Sequence, residues 1–275
     1  MRLTIHHETI YRYATSVTSA VQVLRLTPRS HDGQFVQRWR VGIDADCRLE
    51  RSQDAFGNIV HTFSVESPVN LLTIVAEGEV DMTEQGGHLN GSIERLPLSF
   101  WLRETPLTRA TAPIKAYALK IAGGEGGYPL ATLHALMAAI NRDFDFVVGA
   151  TDASTTAEQA FKRKTGVCQD LAHIFAACAR SLGIPARYAG GYYMRTDIVQ
   201  QEAGHAWAEA HVDGLGWIGF DAANGICTTG RHVRVAIGPD YLAAAPIRGA
   251  RTGGSDEKLT VTVDVRQGRE IIEME

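Results

Sequence analysis

The segment that most restricts the fold runs from Thr165 to Pro185. A glycine-bearing turn, Thr165-Gly166-Val167, gives way at Cys168 to apolar residues at three- and four-residue steps, Leu171, Ile174, Phe175, Cys178 and Leu182, which stop at Gly183 with Pro185 beyond. The spacing predicts a helix over 168–182 with both ends marked and one face committed to burial. A thiol in its first turn meets backbone N–H groups without intrahelical partners and the positive end of the helix dipole, and both favour the thiolate. Cys168 is therefore the candidate nucleophile. Cys178, inside the apolar pattern, reads as core filler.

Three strands are expected downstream, Arg187–Met194, His205–Val212 and Trp217–Asp221. Alternation along 205–212 puts His205, Trp207, Glu209 and His211 on one face and three alanines with Val212 on the other. The titratable face is expected to line a site, and the small face to pack against the cysteine helix or another layer. Asp213-Gly214-Leu215 forms a three-residue loop if Val212 pairs with Gly216, and Asp221 then opposes Trp207, on the same face as His205 and diagonal to it. An even loop sends Asp221 to the other face. Cys168, His205 and Asp221 supply a thiol, an imidazole and an orienting carboxylate, the three groups that acyl transfer through a cysteine requires.

Neighbouring polar residues read as structural. Asp170 is expected to serve backbone capping, because a carboxylate turned inward opposes a thiolate. His173, five positions after Cys168, points away from the thiol's line. Glu209 is expected to be salt-bridged or exposed, with support of His205 as the less favoured role.

The rest of the chain divides by period. Residues 1–105 read as strands, among them Val21–Leu26, Asn58–Val65 and Leu71–Val75, separated by turns such as Asp54-Ala55-Phe56-Gly57-Asn58, and predict an antiparallel β-sandwich-like domain. Residues 106–129 read as a helical linker, with a helix over about 113–121 and a flexible run, Gly123-Gly124-Glu125-Gly126-Gly127, that follows a helix and so lacks the context of a phosphate loop. Residues 130–245 read as an α+β catalytic core, in which Thr155-Thr156-Ala157-Glu158 resembles a capping box. The remainder, 246–275, is a tail whose strand at 258–266 must return to the N-terminal sheet or cap an edge of the catalytic one, since a lone strand leaves its edges unpaired.

Composition removes several classes of function. A net charge of −4, with Lys162-Arg163-Lys164 the one compact basic run, argues against nucleic-acid binding. No stretch approaches the roughly 18 apolar residues of a membrane helix, and residues 1–8 contain no apolar signal core, so a cytoplasmic protein is expected. Four cysteines without CxxC spacing fit reduced thiols, and His173, Cys178 and Cys227 show no zinc-ligand spacing. No cofactor is expected.

The segments Gly166-Val167-Cys168-Gln169-Asp170-Leu171-Ala172-His173, Leu182-Gly183-Ile184-Pro185-Ala186-Arg187-Tyr188, Gly190-Gly191-Tyr192, His205-Ala206-Trp207-Ala208-Glu209 and Gly216-Trp217-Ile218-Gly219-Phe220-Asp221 closely resemble the bacterial transglutaminase-like family, a branch of the papain-like cysteine enzymes. The resemblance spans about 130–230, and the β-rich first hundred residues, with Asp54, Gly57 and Asn58, look like the N-terminal domain attached to such cores. It implies Cys168 as nucleophile, His205 as general base and acid, and Asp221 as orienting carboxylate. Ala222 departs from the family, which commonly has proline there. The Cys168 backbone N–H is a natural first oxyanion donor, with Trp101, Gln169 and a residue near 150 as candidates for the second. The implied reaction passes through a thioester on an amide-bearing peptide or protein substrate. Hydrolysis by a peptidase or amidase is the first expectation, glutamine-to-amine crosslinking the second, and an inactive binding module the third. Animal-type crosslinkers depend on calcium, but no EF-hand-like acidic loop occurs here, so no metal requirement is expected.

Overall fold

The computed structural model describes residues 1–124 and 127–268, so Glu125 and Gly126 of the glycine run lie outside the described residues. Two large antiparallel sheets, a two-stranded parallel pairing of Asp145–Phe146 with Thr165–Gly166 and a set of helices make up the described chain, the α+β architecture expected.

An eight-stranded sheet is organised around the first strand, Arg2–Thr27. Its first part, Arg2–Arg12, lies between Val69–Met82 and Lys258–Gln267, and its second part, from Val17 onward, between Ile59–Val65 and Ile247–Gly253. The register breaks between residues 12 and 17, where the strand turns the sheet back on itself. Leu24 and Leu26 of the second part, with Phe63 and Val65 of the neighbouring Ile59–Val65, then meet Leu72, Ile74 and Ala76 of Val69–Met82 in one buried cluster, which gives the sandwich. The last strand runs antiparallel to the first, Leu3 opposite Gln267 and Arg12 opposite Lys258, so the two ends of the described chain share a ladder.

The second sheet has six strands. Ile226–Cys227, Gly216–Asp221, His205–Val212, Ala186–Tyr193 and His232–Gly238 are neighbours in that order, with His88–Leu89 pairing beside Gly216–Asp221. Ala208, Ala210 and Val212 form the small-residue face, and the helix Cys168–Ser181 seats Ile174, Phe175 and Cys178 against it. The helices Ala112–Gly124 and Pro129–Asp143 join the same cluster through Ile114, Ala118, Leu133 and Leu136. This corrects the linker expected over 106–129: Ile114 and Ala118 lie on one helix face and are fully buried, so the helix belongs to the core. The short helix Ala157–Arg163 starts one residue later than expected, with Thr156 and Gln159 as the reciprocal capping pair.

The two sheets also share a core. Leu3, Ile5, Val80, Val263 and Val265 from the sandwich pack with Ala172, Tyr192 and Val233 from the catalytic half. Two side chains then clip the strand His232–Gly238 by imitating a neighbouring backbone. Gln34 accepts from the Arg234 N–H and donates to its carbonyl, both at 2.8 Å, and Asn58 does the same to Ile237 at 2.8 Å. Asp54 orders that second clip by accepting from the Asn58 N–H and side-chain amide at 3.0 Å. Gly57, at φ +82°, lets the turn close.

Candidate active site

Cys168 is the first residue of its helix, and Val167 at the cap position carries no polar side chain. Asp170 caps instead: its Oδ2 accepts from the Val167 N–H at 2.8 Å and from the Thr151 hydroxyl at 2.6 Å. A Cβ on Gly166 would lie 2.7 Å from the Asp170 Cβ, so glycine is what lets the carboxylate fold back under the turn. Burial raises the proton affinity of Asp170, and the hydrogen bonds from Thr151 and Val167 oppose that. His173 is buried, and its Nε2 accepts from the Tyr241 N–H at 2.9 Å. Both residues are structural, as expected.

The hairpin has the register needed to bring His205 and Asp221 together. Val212 pairs with Gly216, His211 with Trp217 and Ala208 with Phe220 across the three-residue loop, and Gly214 and Gly216 take φ of +80°. His205 Nε2 consequently donates to Asp221 Oδ2 at 2.7 Å. Burial disfavours a charged His205, yet the hydrogen bond to Asp221 and the nearby Cys168 sulfur prevail and push its pKa up to about 10. The imidazole is thus held as a proton donor beside the thiol.

Asp221 is saturated with donors. Its Oδ1 accepts from the backbone N–H groups of Ala223 and Asn224 at 3.0 and 3.1 Å, and its Oδ2 also accepts from the Asn224 side-chain amide at 2.6 Å. These contacts, with Asn141 Nδ2 donating to the Ala222 carbonyl at 3.0 Å, fix the turn that a proline after the aspartate would otherwise stiffen. A further partner of Oδ2 was absent from the sequence reading: His232 Nε2, at 3.1 Å. The Thr229 N–H donates to His232 Nδ1 at 3.0 Å, so Nε2 carries the proton and His232 is a neutral donor. Burial lowers its pKa against the pull of Asp221. Although burial opposes it, hydrogen bonds from His205 and His232 hold the Asp221 carboxyl well below the usual carboxylate range. Tyr193 covers both rings, its centroid 5.3 Å from His205 and 4.5 Å from His232.

His205, Asp221 and His232 offer one ligating atom each within 4.8 Å of one another, a spacing that suits a metal. The hydrogen bonding does not suit it, because His232 Nε2 is protonated by tautomer and a ligating nitrogen needs a lone pair.

The titratable face of the His205 strand does not line the site as a whole, which corrects the expectation. Trp207 shares the face of His205 but is buried among Trp101, Trp217 and Ile237, its ring backing that of His232 at 5.3 Å rather than lining the cleft. Glu209, fully buried, accepts from Arg187 Nε and Arg234 Nε at 2.6 Å, and Arg187 reaches Glu94 at 2.7 Å. The Arg187 guanidinium also stacks 3.8 Å over the Trp217 ring. Glu209 is therefore salt-bridged. Of the expected second oxyanion donors, Trp101 belongs to that aromatic cluster and, near position 150, the Thr151 hydroxyl donates to Asp170, whereas Gln169 lines the cleft with a buried Nε2 that has no partner.

The fold is that of a transglutaminase-like core, and comparison with known proteins agrees. Residues 3–81 match the bacterial transglutaminase-like N-terminal region and residues 115–222 match the transglutaminase-like superfamily. An uncharacterized protein of Mycobacterium leprae is 29% identical over 281 residues, spanning 96% of this chain and 98% of its own. Another, of Mycobacterium bovis, is 30% identical over 294 residues, spanning 96% and 92%. The crystal structure of a candidate cysteine protease from Cytophaga hutchinsonii superposes with a TM-score of 0.74 at 18% identity, covering 97% of this chain and 98% of that one. The chain belongs to the transglutaminase-like superfamily and carries the bacterial N-terminal region of that family.

Proposed function

We propose that the protein hydrolyses amide or peptide bonds through a thioester on Cys168. The thiolate attacks the carbonyl carbon, and the oxygen takes up the π electrons facing the Cys168 N–H at the helix start, with Gln169 as second donor. Collapse of the tetrahedral adduct breaks the C–N bond as His205 gives its proton to the leaving nitrogen. Water then attacks the thioester, His205 takes its proton, and the thiolate departs with the acid released. Asp221 holds the imidazole so that Nε2 is engaged and the other nitrogen serves the reaction. The observation that carries this reading is the 2.7 Å His205–Asp221 bond formed beside a thiol at a helix N-terminus.

The experiment is release of amine or ammonia from peptide and glutamine substrates by wild-type protein and by Cys168→Ala. The reading expects release that Cys168→Ala abolishes without loss of the fold, and release that survives the substitution would overturn it. Adding a primary amine separates water from amine as the acyl acceptor. A product carrying that amine in place of the free acid would move the assignment to crosslinking.

A further inference from the structure

The cleft beside Cys168 has a volume of about 270 Å³. Cys168, Gln169 and His205 line it, and part of its wall comes from outside the catalytic sheet. His7, Thr9 and Tyr11 are successive inward positions of the first strand, and Leu259 and Val261 lie directly across from Tyr11 and Thr9 on the last. These side chains line the same cleft as the thiol. None of the described residues lining the cleft is Asp, Glu, Lys or Arg. His7, hydrogen-bonded to the Tyr192 hydroxyl at 3.0 Å, is held neutral by burial, with the nearby His6 adding to the effect, and has a pKa of about 4.

We propose that this wall is the specificity pocket for the acyl part of the substrate, and that it selects a peptide whose residue at the scissile carbonyl is aromatic or branched aliphatic. The inference rests on the hydrolase reading above and assigns the β-domain and the last strand a part in choosing the substrate. Size supports it, since an apolar cavity of roughly 150 Å³ already admits benzene. Charge supports it too, because an ionised side chain placed here would lose its hydration, and the one cationic group lining the cleft, His205, is already paired with Asp221. Position completes the argument. Cys168 and His205 line the same cleft, so a side chain seated on the wall leaves its own carbonyl beside the sulfur.

The test uses peptidyl chloromethyl ketones that differ only in the residue next to the ketone, Phe, Leu, Gln, Glu or Ala, with alkylation of Cys168 followed by mass spectrometry. Phe and Leu probes are expected to react about tenfold or more faster than Glu and Gln. Leu259→Glu should remove that advantage, and Leu259→Trp should slow the Phe probe while sparing Ala; residue 259 is half exposed, so both variants should fold. Iodoacetamide, which needs no pocket, should label Cys168 in Leu259→Trp at the wild-type rate. Equal rates across the probes, or faster reaction with Gln or Glu, overturn the pocket while leaving the nucleophile intact. Failure of the Cys168 thioester chemistry on which that reading stands looks different: iodoacetamide then labels Cys168 no faster than Cys227, and the pocket falls with it.

Discussion

Asp221 and His232 are joined by a 3.1 Å hydrogen bond in which a neutral imidazole, its tautomer fixed by Thr229, donates to the same carboxylate oxygen that holds His205. The carboxylate is thereby aimed from two directions, and His232 acts on the reaction only through Asp221.

His232→Phe keeps a ring against Tyr193 but removes the donor. A hydrogen bond to a charged acceptor contributes about 1.5–3 kcal/mol, so kcat should fall about 10- to 100-fold with KM little changed. His232→Gln, which retains an N–H donor, should recover much of the loss. Equal kcat in the two variants would contradict a positioning role.

The Glu209 cluster predicts a stability effect without a chemical one. Glu209→Gln leaves the buried Arg187 and the largely buried Arg234 guanidinium groups without their shared carboxylate, and breaking a buried pair in this way costs about 3–5 kcal/mol. Chemical denaturation should show that loss while the rate of Cys168 alkylation at 25 °C stays near that of the wild type. A variant as stable as the parent would contradict it.

Asn58 is expected to hold the sandwich on the catalytic half. Asn58→Ala strands the buried N–H and carbonyl of Ile237, at about 1–3 kcal/mol for each group left unpaired. Limited proteolysis should then release fragments near residue 58 before the core unfolds. Unchanged protease resistance would show that the apolar cluster between the sheets suffices.

Stability should peak near pH 6.5. His205 has its pKa pushed up to about 10, chiefly by Asp221 acting against burial, so its contribution is complete below about 6.5 and is lost as pH rises toward 10. Burial pushes His7 and His31 down to about 4 and His173 to about 3, so their contribution is complete above about 6.5 and is lost as pH falls through that range. Tm measured against pH should decline on both sides, and His205→Asn should flatten the alkaline side. A Tm that climbs steadily to pH 9 would contradict this account.

Much of the site was legible because its signals are local. The period of Leu171, Ile174, Phe175 and Cys178 placed the cysteine helix, and the three residues between Val212 and Gly216 set the parity that brings Asp221 to the face of His205. What escaped depends on contacts distant in sequence. The strand His232–Gly238 does alternate, with Val233, Val235 and Ile237 at its apolar positions, a signal that was available. Its role is visible only once it lies beside Ala186–Tyr193 and under Asp221. Of the long first strand only Val21–Leu26 stands out in the sequence, because its two halves bury residues in different clusters, His7 toward Tyr192 and Leu24 toward Phe63, so no single face accounts for all of it. Trp101, offered as an oxyanion donor, is drawn away by Trp217 and Arg187.

The central claim is that Cys168 is an activated nucleophile, and its alkylation rate tests this most directly. The other thiols are held back by burial: Cys178 is pushed up to about 12, and Cys47 and Cys227 are raised. With iodoacetamide at near-neutral pH and peptide mass spectrometry, Cys168 should be labelled about tenfold or more faster than Cys47 or Cys227, with His205→Ala removing most of the difference. Labelling of Cys168 at the rate of Cys47 or Cys227, or slower, would contradict the account.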